Sequence, residues 1–300
     1  MSKAMPSTEA ETLRPQVQHF FEDDTNTFSY VVKDPESDAC AIVDSVLNYD
    51  MASGGVDHKS ADEIIRYVEE HKLKVEWIIE THVHADHLTA APYLQARLGG
   101  KIGIGEQVTT VQTTFKKIFN VKDEFQPDGQ QFDHLFKDGE HYRIGALDAF
   151  VIHTSGHTPA CMTHVIGDAA FVGDTLFMPD AGTARADFPG GDAAQLFDSI
   201  QKILALRDQT RIFMCHDYGT ADREKLLFET TVAEERANNI HVNQKVAREK
   251  FVEMRTARDQ TLGMPHLILP SLQVNMRAGH FPAAEDNGLA YFKLPVDAFK

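Results

Sequence analysis

Apolar positions along this chain change period several times, and each change predicts an element. Residues 25–33 and 38–44 are short runs rich in β-branched and aromatic side chains, joined by Pro35-Glu36-Ser37, and predict two strands. Over residues 60–72 the apolar positions Ile64, Ile65 and Val68 recur at helical spacing, with Ser60 as the expected N-cap. Residues 75–79 form another strand-length apolar run, and a helix is expected from about Leu88 to Leu98, stopped by Gly99-Gly100. A strand at residues 101–104 and a helix at 108–119 follow. Short strands within 131–152 and 163–172 form a second β-rich group, then a helix at 192–205 and a strand at 212–215. Residues 222–259 read as two charged helices parted around Asn238-Asn239. Pro265, Pro270, Pro282 and Pro295 predict a largely irregular tail, ordered in part by Leu267, Ile268 and Leu269. Strand groups separated by helices predict layered α and β elements around one core. The expected division is a main domain at 17–221 and a helical extension with tail at 222–300 packed on it.

Composition narrows the function classes. With 300 residues and 42% hydrophobic content, the chain can bury a sizeable core. A net charge of -16 argues against a nucleic-acid partner, which needs clustered Lys and Arg. Three cysteines, Cys40, Cys161 and Cys215, are too dispersed for a disulfide framework. Cys40 and Cys215 are expected as small core residues, and Cys161 follows a turn rich in candidate chemistry. Residues 1–16 contain no apolar stretch like that of a secretory leader, and no run approaches membrane-spanning length, so the expectation is a cytoplasmic protein with no membrane partner.

The chemistry concentrates where apolar runs end. Thr81-His82-Val83-His84-Ala85-Asp86-His87 follows the first such run, and residues two apart can point to one side, so His82 and His84 can converge. Asp86 and His87 are expected at the start of the following helix. Ser155-Gly156-His157-Thr158-Pro159, Gly173-Asp174-Thr175 and His216-Asp217-Tyr218 each follow a further strand-like run. Loops at the ends of a rigid sheet carry function, and imidazole with carboxylate suits zinc, iron or manganese.

These motifs resemble the metallo-β-lactamase superfamily, with its His-x-His-x-Asp-His loop followed by a later His, Asp and His. The resemblance covers residues 20–216 and implies an α/β (α+β) fold, an αββα sandwich with metal along one edge. Within that superfamily, Gly182-Thr183-Ala184-Arg185-Ala186-Asp187-Phe188 is similar to a segment of the persulfide dioxygenases. So are Glu234-Glu235-Arg236 with Asn239, and the tail Leu269-Pro270-Ser271-Leu272-Gln273-Val274-Asn275 with Asn287-Gly288. The chain departs at His157-Thr158-Pro159-Ala160, where many relatives carry Asp-Gly after the Thr.

The resemblance implies one Fe(II) per chain on His82, His157 and Asp174, a facial triad suited to oxygen chemistry, with zinc as an occupant after purification. It implies glutathione persulfide and O2 as substrates, with sulfite and glutathione as products. His84, Asp86, His87 and His216 would then hydrogen-bond the ligands or hold a second metal. Arg185 could pair with a glutathione carboxylate, or with Asp187 to hold its own loop. Tyr218 could donate into the site or pack against it. Related enzymes imply a homodimer, and any rhodanese-type sulfurtransferase partner is expected as a separate chain. The alternative is a binuclear hydrolase of the glyoxalase II type acting on glutathione thioesters, with Asp174 bridging two metals. A noncatalytic metal-binding module would be expected to lack a ligand, and none is missing.

Overall fold

Two six-stranded sheets face each other at the centre of this computed structural model, which describes residues 13–122 and 125–298. In the first sheet β1 (Gln16–Glu22), β2 (Thr27–Lys33) and β3 (Ala39–Val43) pair antiparallel. β3 continues in parallel to β6 (Lys74–Ile79), β8 (Lys101–Gly105) and β9 (His134–Phe136). A small sheet of β4 (Val46–Asp50), β5 (Gly55–Asp57) and β7 (Leu88–Thr89) stands beside it. The second large sheet runs in order through β10 (His141–Ile144), β11 (Leu147–His153), β12 (Met162–Ile166), β13 (Ala169–Phe171), β14 (Arg211–Phe213) and β15 (Glu229–Thr231). Its one parallel pair is β13 with β14.

Alternation in the strands builds two cores at once. In β3, Ala39, Ala41 and Val43 face Phe171 and Phe213 of the second sheet, while Cys40 and Ile42 face the helices outside. That outer layer holds α1 (Lys59–Glu70), α2 (Ala91–Leu98) and α3 (Val108–Ile118). Behind the second sheet lie α4 (Ala193–Leu204), α5 (Val232–Asn238) and α6 (Arg248–Asp259). Four layers, helix, sheet, sheet, helix, therefore match the expected sandwich. Among the described residues, no helix is long and apolar enough to cross a membrane. Most of the stretch behind the expectation of no leader, residues 1–12, lies outside the described residues.

Some local expectations need correction. α1 begins at Lys59, with His58 at the cap and no side-chain bond from it. The free Ser60 N–H is met instead by Asn48 Oδ1 of β4 at 2.9 Å, a cap supplied across the fold. α2 starts after Ala90 because Leu88 and Thr89 pair with Val46 and Leu47 of β4. Residues 222–231 are not helical, and Glu229–Thr231 joins the second sheet at its edge. β1 was not foreseen. Past residue 265 the chain forms α7 (Ile268–Asn275), whose Pro270 falls in the first turn, where a missing N–H costs no helical bond. α7 packs Ile268, Leu272 and Val274 into the core outside the first sheet.

Candidate metal centre

Loops at one edge of the sandwich deliver every candidate ligand. The loop after β6 carries His82, His84, Asp86 and His87; His157 follows β11, Asp174 follows β13 and His216 follows β14. Gly156 shapes the His157 turn: its φ is 138°, and a Cβ there would stand 2.3 Å from the Leu196 backbone.

The structure brings the seven residues together in two adjoining sets. His82, His157 and Asp174 offer donor atoms within 4.8 Å of one another, as do His84, Asp86, His87 and His216. Asp174 joins the sets through its two oxygens. Oδ2 lies 3.8 Å from His82 Nε2 and 3.6 Å from His157 Nε2, while Oδ1 lies 3.4 Å from His216 Nε2. Among the described residues, His82 Nε2, His84 Nδ1, His87 Nε2, His216 Nε2 and Asp174 Oδ1 are buried without a hydrogen-bond partner. Buried polar atoms are normally paired, so five orphans of metal-ligating type in one place fit a divalent cation.

Neighbouring groups turn each ring toward that place. A backbone carbonyl can only accept, so His157 Nδ1 donates to Arg185 O at 2.8 Å and its Nε2 keeps a free lone pair. His216 Nδ1 similarly meets Asn26 O at 3.2 Å. Thr81 Oγ1 donates to Asp44 Oδ2 at 2.9 Å and can accept from His82 Nδ1 at 3.0 Å. His84 Nε2 lies 3.1 Å from Asp44 Oδ1 and 3.4 Å from Glu80 Oε2. Burial disfavours the His84 cation, but Asp44 and Glu80 outweigh it and hold His84 well above the ordinary histidine value. His82 lies well below that value, through burial and the neighbouring His84 and His157.

Helices late in the chain clamp both loops. Asn275 of α7 donates through Nδ2 to His84 O and His87 O at 2.8 and 2.7 Å, and accepts from Thr89 N at 2.9 Å. In α6, buried Arg255 binds Thr183 O at 3.0 Å and Asp259 Oδ1 at 2.8 Å. Asp259 Oδ2 accepts from Ala186 N at 2.9 Å, fixing the segment whose Arg185 carbonyl orients His157.

Of the two readings of Arg185, the structure shows the pairing with Asp187, bidentate at 2.6 and 2.8 Å, with a further bond to Gly263 O. Tyr218 is 58% exposed, and its ring lies nearly parallel to His216 at 5.9 Å, on the rim of the centre. Cys161 is buried and bonded to Thr158, with burial pushing its thiol up to about 12. Cys215 is buried as expected, but its sulfur also lies within 4.8 Å of donors on Asp174 and His216. Sequence reasoning missed Asp44, Glu80, Arg255 and Asp259 altogether. Asp44 could have been found, since it ends an apolar strand as the ligands do.

Residues 23–216 match the family model described as the metallo-beta-lactamase superfamily. The chain belongs to this superfamily. A probable metallo-hydrolase of Burkholderia pseudomallei is 53% identical, over 94% of this superfamily member and 99% of that protein. Glyoxylase B2 of Dictyostelium discoideum is 47% identical, over 96% and 99%. The mitochondrial persulfide dioxygenase ETHE1 of Homo sapiens is 29% identical over 88% of each chain. Among solved structures, ETHE1 from Myxococcus xanthus superposes with a TM-score of 0.70 at 27% identity, covering 88% of this chain and 100% of that one.

Proposed function

We propose that this member of the metallo-β-lactamase superfamily is an Fe(II)-dependent persulfide dioxygenase. The observation that carries the reading is the compact His82–His157–Asp174 set, a two-imidazole, one-carboxylate arrangement of buried side chains. Likeness to ETHE1 proteins along most of the chain supports it. His82, His157 and Asp174 would hold the iron, whose chemistry when bound is one-electron transfer between a persulfide sulfur and O2. The overall reaction takes glutathione persulfide, O2 and water to glutathione, sulfite and two protons. The chain's own part is to orient: Arg185 O fixes the His157 tautomer, Asp44 fixes Thr81, and Asn275 fixes the loop between His84 and Thr89.

A second reading is a binuclear hydrolase of glutathione thioesters. It is favoured by Asp174 presenting one oxygen to each set of donors, and by relatives named as a metallo-hydrolase and a glyoxylase. One experiment separates the two. Iron-loaded protein with glutathione persulfide should consume O2 and form sulfite, at about one iron per chain. Two metals per chain with thioester hydrolysis and no O2 uptake would overturn the dioxygenase reading.

A further inference from the structure

The corner between β1 and β2 carries a run of hydrogen-bonded side chains that ends on two candidate ligands. Glu22, largely buried, receives four donors. Asp24 N and Asn48 Nδ2 reach Oε1, each at 3.2 Å, while Thr25 N at 2.9 Å and Thr25 Oγ1 at 2.6 Å reach Oε2. A carboxylate offers about four lone-pair sites, so these donors fill it and it acts here as an acceptor only. Thr25 therefore spends its single hydroxyl proton on Glu22. Thr25 Oγ1 also lies 2.8 Å from Thr27 Oγ1, and with its own proton spent it can only accept there. The Thr27 hydroxyl must then donate to Thr25, which leaves Thr27 Oγ1 with lone pairs alone.

Thr27 Oγ1 stands 3.4 Å from His87 Nδ1 and 3.3 Å from His216 Nδ1, and all three residues are buried. An oxygen that has given its proton away can only accept, so both rings carry hydrogen on Nδ1 and keep Nε2 bare. Second acceptors agree in direction: Asn26 O lies 3.2 Å from His216 Nδ1, and Asp86 Oδ2 lies 3.1 Å from His87 Nδ1. The two nitrogens left bare, His87 Nε2 and His216 Nε2, are among the buried atoms without a partner. The backbone keeps Thr27 in place, through an antiparallel bridge to His216 and a bond from Phe28 N to Cys215 O at 2.7 Å.

We infer that Thr27 is a positioning residue for the metal centre, and that Glu22, acting through Thr25, sets the direction of its hydroxyl. One acceptor thereby serves two candidate ligands on separate loops, and a carboxylate that touches neither ring decides its polarity. The assignment does not depend on which reaction the centre catalyses, because both readings turn the Nε2 atoms of His87 and His216 toward metal or metal-bound water.

The test needs no substrate. Nuclear magnetic resonance of the metal-free protein, with isotope-labelled histidine, should find hydrogen on Nδ1 of both His87 and His216. Thr27→Val keeps shape and burial but removes the acceptor. Both Nδ1–H resonances should then move, and zinc should bind roughly tenfold more weakly, the lower end of what losing a ligand's hydrogen-bond partner costs. Thr27→Ser, which keeps the hydroxyl, should behave as wild type, whereas a role in packing alone would favour Val. Thr25→Val touches neither ring, yet it should move the same two resonances because the Thr27 proton is freed to turn. A bare Nδ1 on either ring of the wild-type protein overturns the inference. So does Thr27→Val with wild-type zinc affinity, or Thr25→Val with both resonances in place. None of these results bears on O2 uptake or thioester hydrolysis, so the reaction readings stand or fall separately.

Discussion

Glu235 of α5 is fully buried, with Oε2 accepting from Asn239 Nδ2 at 2.7 Å and Oε1 left without a partner. Burial pushes its carboxyl up to about 8, Asp180 and Glu234 add to the rise, and the Asn239 bond only partly opposes it. The sign for stability follows. Below the ordinary value of 4.5 the group is protonated in folded and unfolded chains alike, so its contribution is fully present. As pH rises toward about 8 the unfolded chain ionises while the folded one keeps its proton, and stability falls by at most about 1.4 kcal/mol per pH unit. Denaturant unfolding should therefore show a decline between pH 5 and 8 that Glu235→Gln flattens. An unchanged slope in the variant would mean another group sets the dependence.

Asn275 shows what the element scale adds. Its side chain, on α7, makes three hydrogen bonds to the backbone of the ligand loop. Asn275→Leu would leave those buried groups unpaired, at roughly 1–3 kcal/mol each when no water can enter. The expected result is a clear loss in melting temperature and weaker metal binding, read by thermal unfolding and metal titration. Retained affinity would show that the loop holds its shape alone. The candidate ligands themselves were legible because each ends an apolar strand-like run, a local pattern that His82, His157, Asp174 and His216 all satisfy. α7 was obscured because Pro270 reads as a breaker, although in a first turn it is tolerated. β15 was obscured because Glu229, Thr230 and Thr231 are polar and sit at a sheet edge, where alternation carries no signal. Arg255 and Asp259 look like an ordinary exposed helical ion pair in the sequence, and only packing reveals that they are buried.

For the molecule as a whole, the centre is a local excess of desolvated donors that the fold alone leaves uncompensated. Binding a cation to the folded chain only should stabilise it by about 2.7 kcal/mol at a hundredfold excess over Kd. Treatment with a chelator should lower the melting temperature reversibly, and adding back a divalent cation should restore it. No change on metal removal would show that the orphaned atoms are satisfied some other way.

The clamps also set an order of events during synthesis. Candidate ligands at positions 82 to 216 leave the ribosome well before α6 and α7, yet the loops that present His84, His87 and His157 are fastened from Arg255, Asp259 and Asn275. A nascent chain halted before those helices emerge lacks these hydrogen bonds, so its histidines are not yet locked. Loading with metal should be a late step in biogenesis.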